Sequence, residues 1–235
     1  MVQKKTEAAR PPSLRPRGRP RAFEPELALT QAMDAFWRDG FAATSLDDLS
    51  AATGMNRPSL YGAFGDKHAL YIKAYRNYRA QVREIFGPLL RASEPAPKKL
   101  QHILTAALDL YSSGETGPRG CFTVLTASSN VIGDADIRAL VIEALANTDK
   151  AFEELFRAGV AAGELASGAD PVRLAQMASA TIHTLAVRAR AGAPRAALEA
   201  LIDNAVATIC AAGRARRAGA NFRRRGGKTR TSRTR

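Results

Sequence analysis

Residues 45–64 read Ser45-Leu46-Asp47-Asp48-Leu49-Ser50-Ala51-Ala52-Thr53-Gly54-Met55-Asn56-Arg57-Pro58-Ser59-Leu60-Tyr61-Gly62-Ala63-Phe64. Thr44 or Ser45 can cap a helix here, and Ser45 with Asp48 has the spacing of a capping box, in which hydroxyl and carboxylate each satisfy a backbone N–H. Leu46, Leu49 and Ala52 share one face of that helix, which Gly54 ends. A second helix begins near Pro58, whose fixed φ and missing N–H suit a first turn, carries Leu60, Tyr61 and Phe64, and closes at Gly65. Two helices of about two turns each cannot build a large core, but they can present the second one outward. Small Ser50 sits where they touch, Gly54 can take the positive φ of a tight turn, and Leu60 anchors the second helix. That is the logic of a DNA-binding helix-turn-helix; the bland alternative is a plain helical hairpin.

Apolar residues recur at helical spacing on both sides of this segment, so the expected fold is all-α with about nine helices. Leu29, Ala32, Met33 and Phe36 mark a first helix from about Pro25 to Asp39, ended by Gly40. Asp66 can cap a long fourth helix from Lys67 to about Ala92, with Tyr71, Tyr75 and Tyr78 on one face and Pro88 as a kink. After a break at Ser93–Pro97, further helices are expected over 98–112, 122–129, 135–162, 171–192 and 194–213, with a Gly/Pro loop at 114–120.

Charge divides the chain sharply. Residues 1–21 hold seven basic residues and one acid, residues 214–235 hold ten basic residues and no acid, and the body between has a net charge of −3. Tails of like charge stay disordered until a polyanion neutralises them, which makes nucleic acid the first partner to consider and an anionic membrane surface the second. No membrane span is expected, because the longest uncharged runs are 14 residues against the roughly 20 a helix needs. The basic start leads into Pro and Arg and not into an apolar leader, and two Cys are too few for a disulfide scaffold, so a reducing cytoplasm is expected.

Over Phe23–Tyr75 the sequence resembles the TetR family of bacterial transcriptional regulators. The residues that carry the resemblance are Phe36, Gly40-Phe41, Thr44-Ser45, Leu49, Gly54, Leu60-Tyr61, Phe64 and Lys67. Beyond Lys98 only helical architecture and length match. The resemblance implies an N-terminal three-helix helix-turn-helix domain at 23–66 and a larger helical ligand-binding and dimerisation domain at 67–213. A disordered basic arm (1–22) and a disordered basic tail (214–235) flank them. It also implies a homodimer on a pseudo-palindromic double-stranded operator and an unidentified small-molecule effector; no cofactor, metal or membrane partner is expected. Arg57, Pro58, Ser59 and Tyr61 match positions that touch bases and phosphates, while Thr44 and Lys67 match phosphate contacts and Ser45 is grouped with them. Arg57 at an exposed helix start suits guanine O6/N7, whereas Tyr61 reads equally as core packing. Gly62 and Ala63 depart from the bulkier residues frequent there, which leaves Arg57 more of the base reading.

Arg15-Pro16-Arg17-Gly18-Arg19-Pro20-Arg21 resembles an AT-hook, and Arg17 and Arg19 are its candidates for the narrow minor groove. The C-terminal tail lacks such a pattern. Ile103, Leu104, Ala107, Leu108, Tyr111, Cys121, Phe122 and Leu125 are the candidate walls of a ligand cavity, with a simply filled core as the alternative. Cys121 is either a small apolar wall residue or a thiol activated by a helix N-terminus and Arg119. Ala175, Ala178, Ser179 and Ala186, with Leu198, Leu201, Ile202, Ala205 and Ile209, are the expected dimer surface.

No catalytic constellation is expected. Gly227-Lys228-Thr229 lacks the first Gly of a phosphate loop, where Phe222 stands, and His68, His102 and His183 have no ligand partner at helical spacing. The competing non-enzymatic reading is an architectural nucleoid-type DNA binder that answers to no ligand.

Overall fold

The computed structural model describes residues 24–114 and 117–212, so the arm with Arg17 and Arg19 and the tail lie outside it. Among the described residues it is helical throughout, in the order α1 (Pro25–Ala43), α2 (Leu46–Thr53), α3 (Arg57–Phe64), α4 (Lys67–Arg91), α5 (Ala96–Ser112), α6 (Phe122–Ala127), a 3-10 turn (Asn130–Gly133), α7 (Ala135–Ala161), α8 (Pro171–Arg190) and α9 (Arg195–Ala212). α1 packs on α2 and α4, α7 on α8, and α5 on α8 and α9, with α4 running from the small helices into the larger group.

Gly40 does break α1, at φ +80° and ψ 170°, but one more turn follows it and carries Phe41. The buried surface of α1 is wider than the sequence stripe: Ala28, Ala35 and Trp37 are buried with Ala32, Met33 and Phe36, because α1 also meets α6. The box at α2 forms as expected, Asp48 N donating to Ser45 Oγ at 3.1 Å and Ser45 N to Asp48 Oδ2 at 2.7 Å. Gly54 takes the left-handed conformation at φ +64°. α3 starts one residue before Pro58, because Asn56 caps it by accepting from Ser59 N at 2.9 Å. α4 stays helical through the exposed Pro88 to Arg91, so the expected kink does not end or divide it.

Phe122 is the hub of the core. Its ring lies 5.5 to 5.7 Å from those of Tyr71, Tyr75 and Tyr78 on α4, and Trp37 sits 4.8 Å from Tyr78. Such edge-on aromatic pairs add to the large apolar area each ring buries. The phenol groups are paired too: Thr126 Oγ1 donates to Phe122 O, so Tyr71 OH donates to Thr126, and Tyr75 OH donates to Thr123 at 3.0 Å.

Burial pushes Tyr71 and Tyr75 up to about 12, and Tyr78 and Tyr111 well above the ordinary phenol value. An unfolded tyrosine ionises near 10, so the stability these groups give is complete below about pH 10, and the part from Tyr71 and Tyr75 is lost as pH rises through about 12. Near-ultraviolet titration is therefore expected to show tyrosines ionising late and together with unfolding. An ordinary titration of Tyr71, Tyr75 and Tyr78 in the folded protein would contradict the packing of α6 on α4.

A polar joint ties α1 to the loop before α6. Trp37 Nε1 donates to Gly120 O at 3.1 Å, and the Arg119 guanidinium lies 4.0 Å over the indole while pairing with Asp34. Where Gly40 breaks the helix, the carbonyls of Trp37 and Arg38 lose their helical donors. Arg190, from the end of α8, supplies donors to both, at 3.4 and 3.0 Å, and to Arg119 O at 2.8 Å. Gly120 is required here: its φ is +69°, and a Cβ would meet Ala186 O at 2.8 Å.

Candidate nucleic-acid interface and effector cavity

The capped starts of α2 and α3 and the outer side of α3 form the first candidate site. Leu60 and Phe64 are buried beneath α3, which turns Arg57, Pro58 and Tyr61 out; Tyr61 is 47 % exposed, so it is a surface residue and not core. Ser59 is half-buried and its amide is held by Asn56, and Ser45 is exposed. Gly62 has open space where a Cβ would stand, so the short side chains of this helix are not imposed by packing.

Arg57 is exposed but not vacant. Its Nε and Nη2 donate to Asp47 Oδ1 and Oδ2 at 3.0 and 2.6 Å, and this hydrogen bonding pushes its pKa up. An ion pair this exposed is weak in water, so a guanine edge or a phosphate can compete for the fork. Asp47 was not foreseen as a partner, because ten residues and a turn separate it from Arg57; Asn56 could have been read from its place just before Arg57-Pro58. Lys67 Nζ lies 4.4 Å over the Phe41 ring, and burial lowers its pKa.

Thr44 departs from its expected role as a phosphate contact. It is fully buried, and its hydroxyl donates to Gly40 O at 2.7 Å, satisfying a carbonyl at the break in α1. From residue 44 to 67 the charges are Asp47, Asp48 and Asp66 against Arg57 and Lys67, so the helix-turn-helix itself carries no positive excess.

The second site is an open-mouthed cavity of about 470 Å³ lined by α4, α5, α7 and α8 and by the start of α6. Of the expected wall residues, Ile103, Tyr111 and Cys121 line it. Leu104, Ala107, Leu108 and Phe122 are instead fully buried core outside its wall, and half-buried Leu125 does not line it either. The apolar face of α5 is wide enough to serve two neighbours: only one edge reaches the cavity, and the rest packs on α8 and α9.

The wall that sequence reasoning missed is the second half of α4, with Val82, Phe86 and Leu90, and polar groups from α7 and α8. Spacing i, i+4, i+8 along α4 was the available signal, and it continues the tyrosine stripe so that Tyr78 packs α4 and also lines the cavity. Cys121 is buried with Sγ 3.4 Å from Tyr78 OH. The Arg119 guanidinium, expected near the thiol, is engaged with Asp34 and Trp37 instead. Burial lowers the pKa of the cavity residue His183. His68 contacts Asp134, the cap of α7, at 3.0 Å, and His102 contacts Glu94 at 2.9 Å.

The expected dimer stripe is partly turned inward. Ala175, Ala178, Ser179, Ala186, Leu198, Ile202 and Ile209 are buried within the chain, because α8 and α9 need close packing against α5 and α7. Outside them lies a shallow, largely apolar groove between α8 and α9, formed by Met177, Ala180, Thr181, Thr184, Leu201 and Ala205 among others.

Residues 28–74 match the family of bacterial regulatory proteins, tetR family, and residues 96–205 match the tetracyclin repressor-like C-terminal domain. The HTH-type transcriptional repressor ComR of Escherichia coli (strain K12) is 29 % identical over 194 residues, covering 82 % of this chain and 90 % of ComR. The repressor BdcR of the same strain is 35 % identical over 107 residues, 46 % of this chain and 54 % of BdcR. The structure of a cysteine mutant of the TetR family regulator CifR, complexed with 26 bp double-strand operator DNA, matches with a TM-score of 0.74 and 32 % identity. That match covers 80 % of this chain and 98 % of CifR. With the outward α3, the long α4 and the cavity beyond it, the chain belongs to the TetR family of bacterial transcriptional regulators.

Proposed function

We propose that this protein is a cytoplasmic, homodimeric repressor that binds a pseudo-palindromic operator and leaves it when a small molecule fills the cavity. The observation that carries the reading is α3: its apolar residues are buried, while Arg57, Pro58 and Tyr61 face out beside the capped start of α2. Residues 23–66 read DNA and residues 67–213 sense and dimerise. α4 belongs to both sites, since Lys67 starts it beside α2 and Tyr78 to Leu90 line the cavity. A shift of α4 changes the separation of the two recognition helices, which must stand about 34 to 36 Å apart to engage successive major grooves. Because residues 44–67 carry no positive excess, the phosphate-neutralising charge is assigned to the basic arm, with Arg17 and Arg19 in the minor groove.

The test is a mobility-shift titration on a palindrome from the chain's own upstream region against shuffled DNA. Arg57→Ala is expected to cost about 1 to 3 kcal/mol on the palindrome and to relax one base position per half-site. Lys67→Ala is expected to weaken all sequences alike and lower the salt slope by about 1. Equal affinity for palindrome and shuffled DNA would favour the architectural reading, and an unchanged Arg57→Ala profile would remove α3 as the reading helix.

A further inference from the structure

Three arginines on the outer half of α4 take no part in the DNA-reading surface. Arg79, Arg83 and Arg91 all line the cavity, alternating with Val82, Phe86 and Leu90. Six arginines elsewhere, Arg38, Arg57, Arg119, Arg157, Arg173 and Arg195, each face a carboxylate, and Arg138 and Arg190 are held by backbone carbonyls. Among the described residues these three have no such partner, and no aspartate or glutamate contributes to the cavity wall. Arg79 is half-buried, and Arg83 and Arg91 stand at the exposed rim. Gly87 leaves room for the rim, since a Cβ there would come within 3.2 Å of the Arg91 guanidinium.

The interior has the opposite character. Ile103, Phe152 and Ile182 make its deep wall apolar, with Thr123, Asn147 and His183 as scattered polar groups. The lowered pKa of His183 keeps its imidazole neutral at pH 7, so the charge of the site resides on the α4 arginines. A planar guanidinium beside a poorly hydrated pocket grips a carboxylate through charge-assisted hydrogen bonds. A neutral apolar molecule would leave Arg79 uncompensated, and a cation would be repelled.

We propose that the cavity takes a carboxylate-headed amphiphile: an alkyl or aromatic acid whose body fills the apolar interior and whose head meets Arg79 together with Arg83 or Arg91 at the rim. This rests on the reading of the cavity as the effector site, and it assigns the effector's chemical class.

The experiment is calorimetric titration of the full chain without DNA. Decanoate and 2-naphthoate are the acid probes, decanol and 2-naphthol their neutral counterparts, and decylamine and inorganic phosphate the controls for charge alone. At least one acid is expected to bind about tenfold or more tightly than its neutral counterpart, since a hydrogen bond to a charged group is worth that much. Neither control should match it. Arg79→Gln should bring the ratio to within about twofold, and Arg79→Lys should keep most of it. The proposal is overturned if neither acid binds, if the neutral counterpart binds as well, or if Arg79→Gln keeps the full preference. Operator recognition is measured separately: a chain that shifts its palindrome and ignores acids refutes only this proposal, and one that binds acids without operator preference refutes only the repressor.

Discussion

Thr184→Glu is expected to yield a folded monomer whose affinity for a two-half-site operator is lower by about two to four orders of magnitude. Thr184 is exposed in the single chain, so a glutamate there meets water and leaves the fold intact. It also lines the groove between α8 and α9, where Met177, Leu201 and Ala205 offer apolar contact. A two-fold interface presents the same patch twice, so each copy would bring a glutamate into it. Burying a carboxylate without a partner costs several kcal/mol, enough to separate the copies. A monomer then binds half-sites independently and loses the effective concentration that linkage provides. Sedimentation and a mobility shift on whole and half operators check this together. A variant that stays dimeric would place the interface on another face, and one that becomes monomeric with unchanged affinity would show that half-sites are read singly.

Trp37→Ala is expected to lower the stability of the protein by about 3 to 5 kcal/mol in urea unfolding, as truncation of a fully buried large aromatic does. More than volume is lost. The indole donates to Gly120 O, carries Arg119 on its face and meets Tyr78 edge-on, so its removal leaves a buried carbonyl without its donor and takes the ring from beneath a guanidinium that keeps Asp34. Arg190→Ala probes the same joint from α8, and because it uncaps Trp37 O and Arg38 O without opening a cavity its loss should be smaller. As the chain has a single tryptophan, its fluorescence reports the joint directly, and an effector entering the cavity should change it. A loss below about 1 kcal/mol for Trp37→Ala would mean that the loop before α6 is held by other contacts.

The helix-turn-helix was legible in the sequence almost residue by residue because it is built from local interactions. The Ser45–Asp48 box, the left-handed Gly54, the break at Gly40 and the Asp66 cap each depend on groups within four residues of one another. Helical periodicity likewise places Leu104 and Leu108 on an apolar face, and both are inside. Periodicity cannot say against what. Whether an apolar side chain faces a filled core or a cavity depends on the angle at which distant helices cross, and that placed Ile103, Tyr111 and Cys121 in the wall and their neighbours in the packing.

The same limit applies to polar groups. Thr44 is buried because the chain resumes for one turn after Gly40, and Arg57 rests on Asp47 because the turn at Gly54 folds α3 back toward α2. Arg190 reaches Arg38 O across 152 residues of chain. A helix declares its own caps and its own apolar face through the period of its residues; which neighbour meets that face, and which charge finds a partner, is fixed only when the helices pack, since those contacts join residues whose separation in sequence carries no signal.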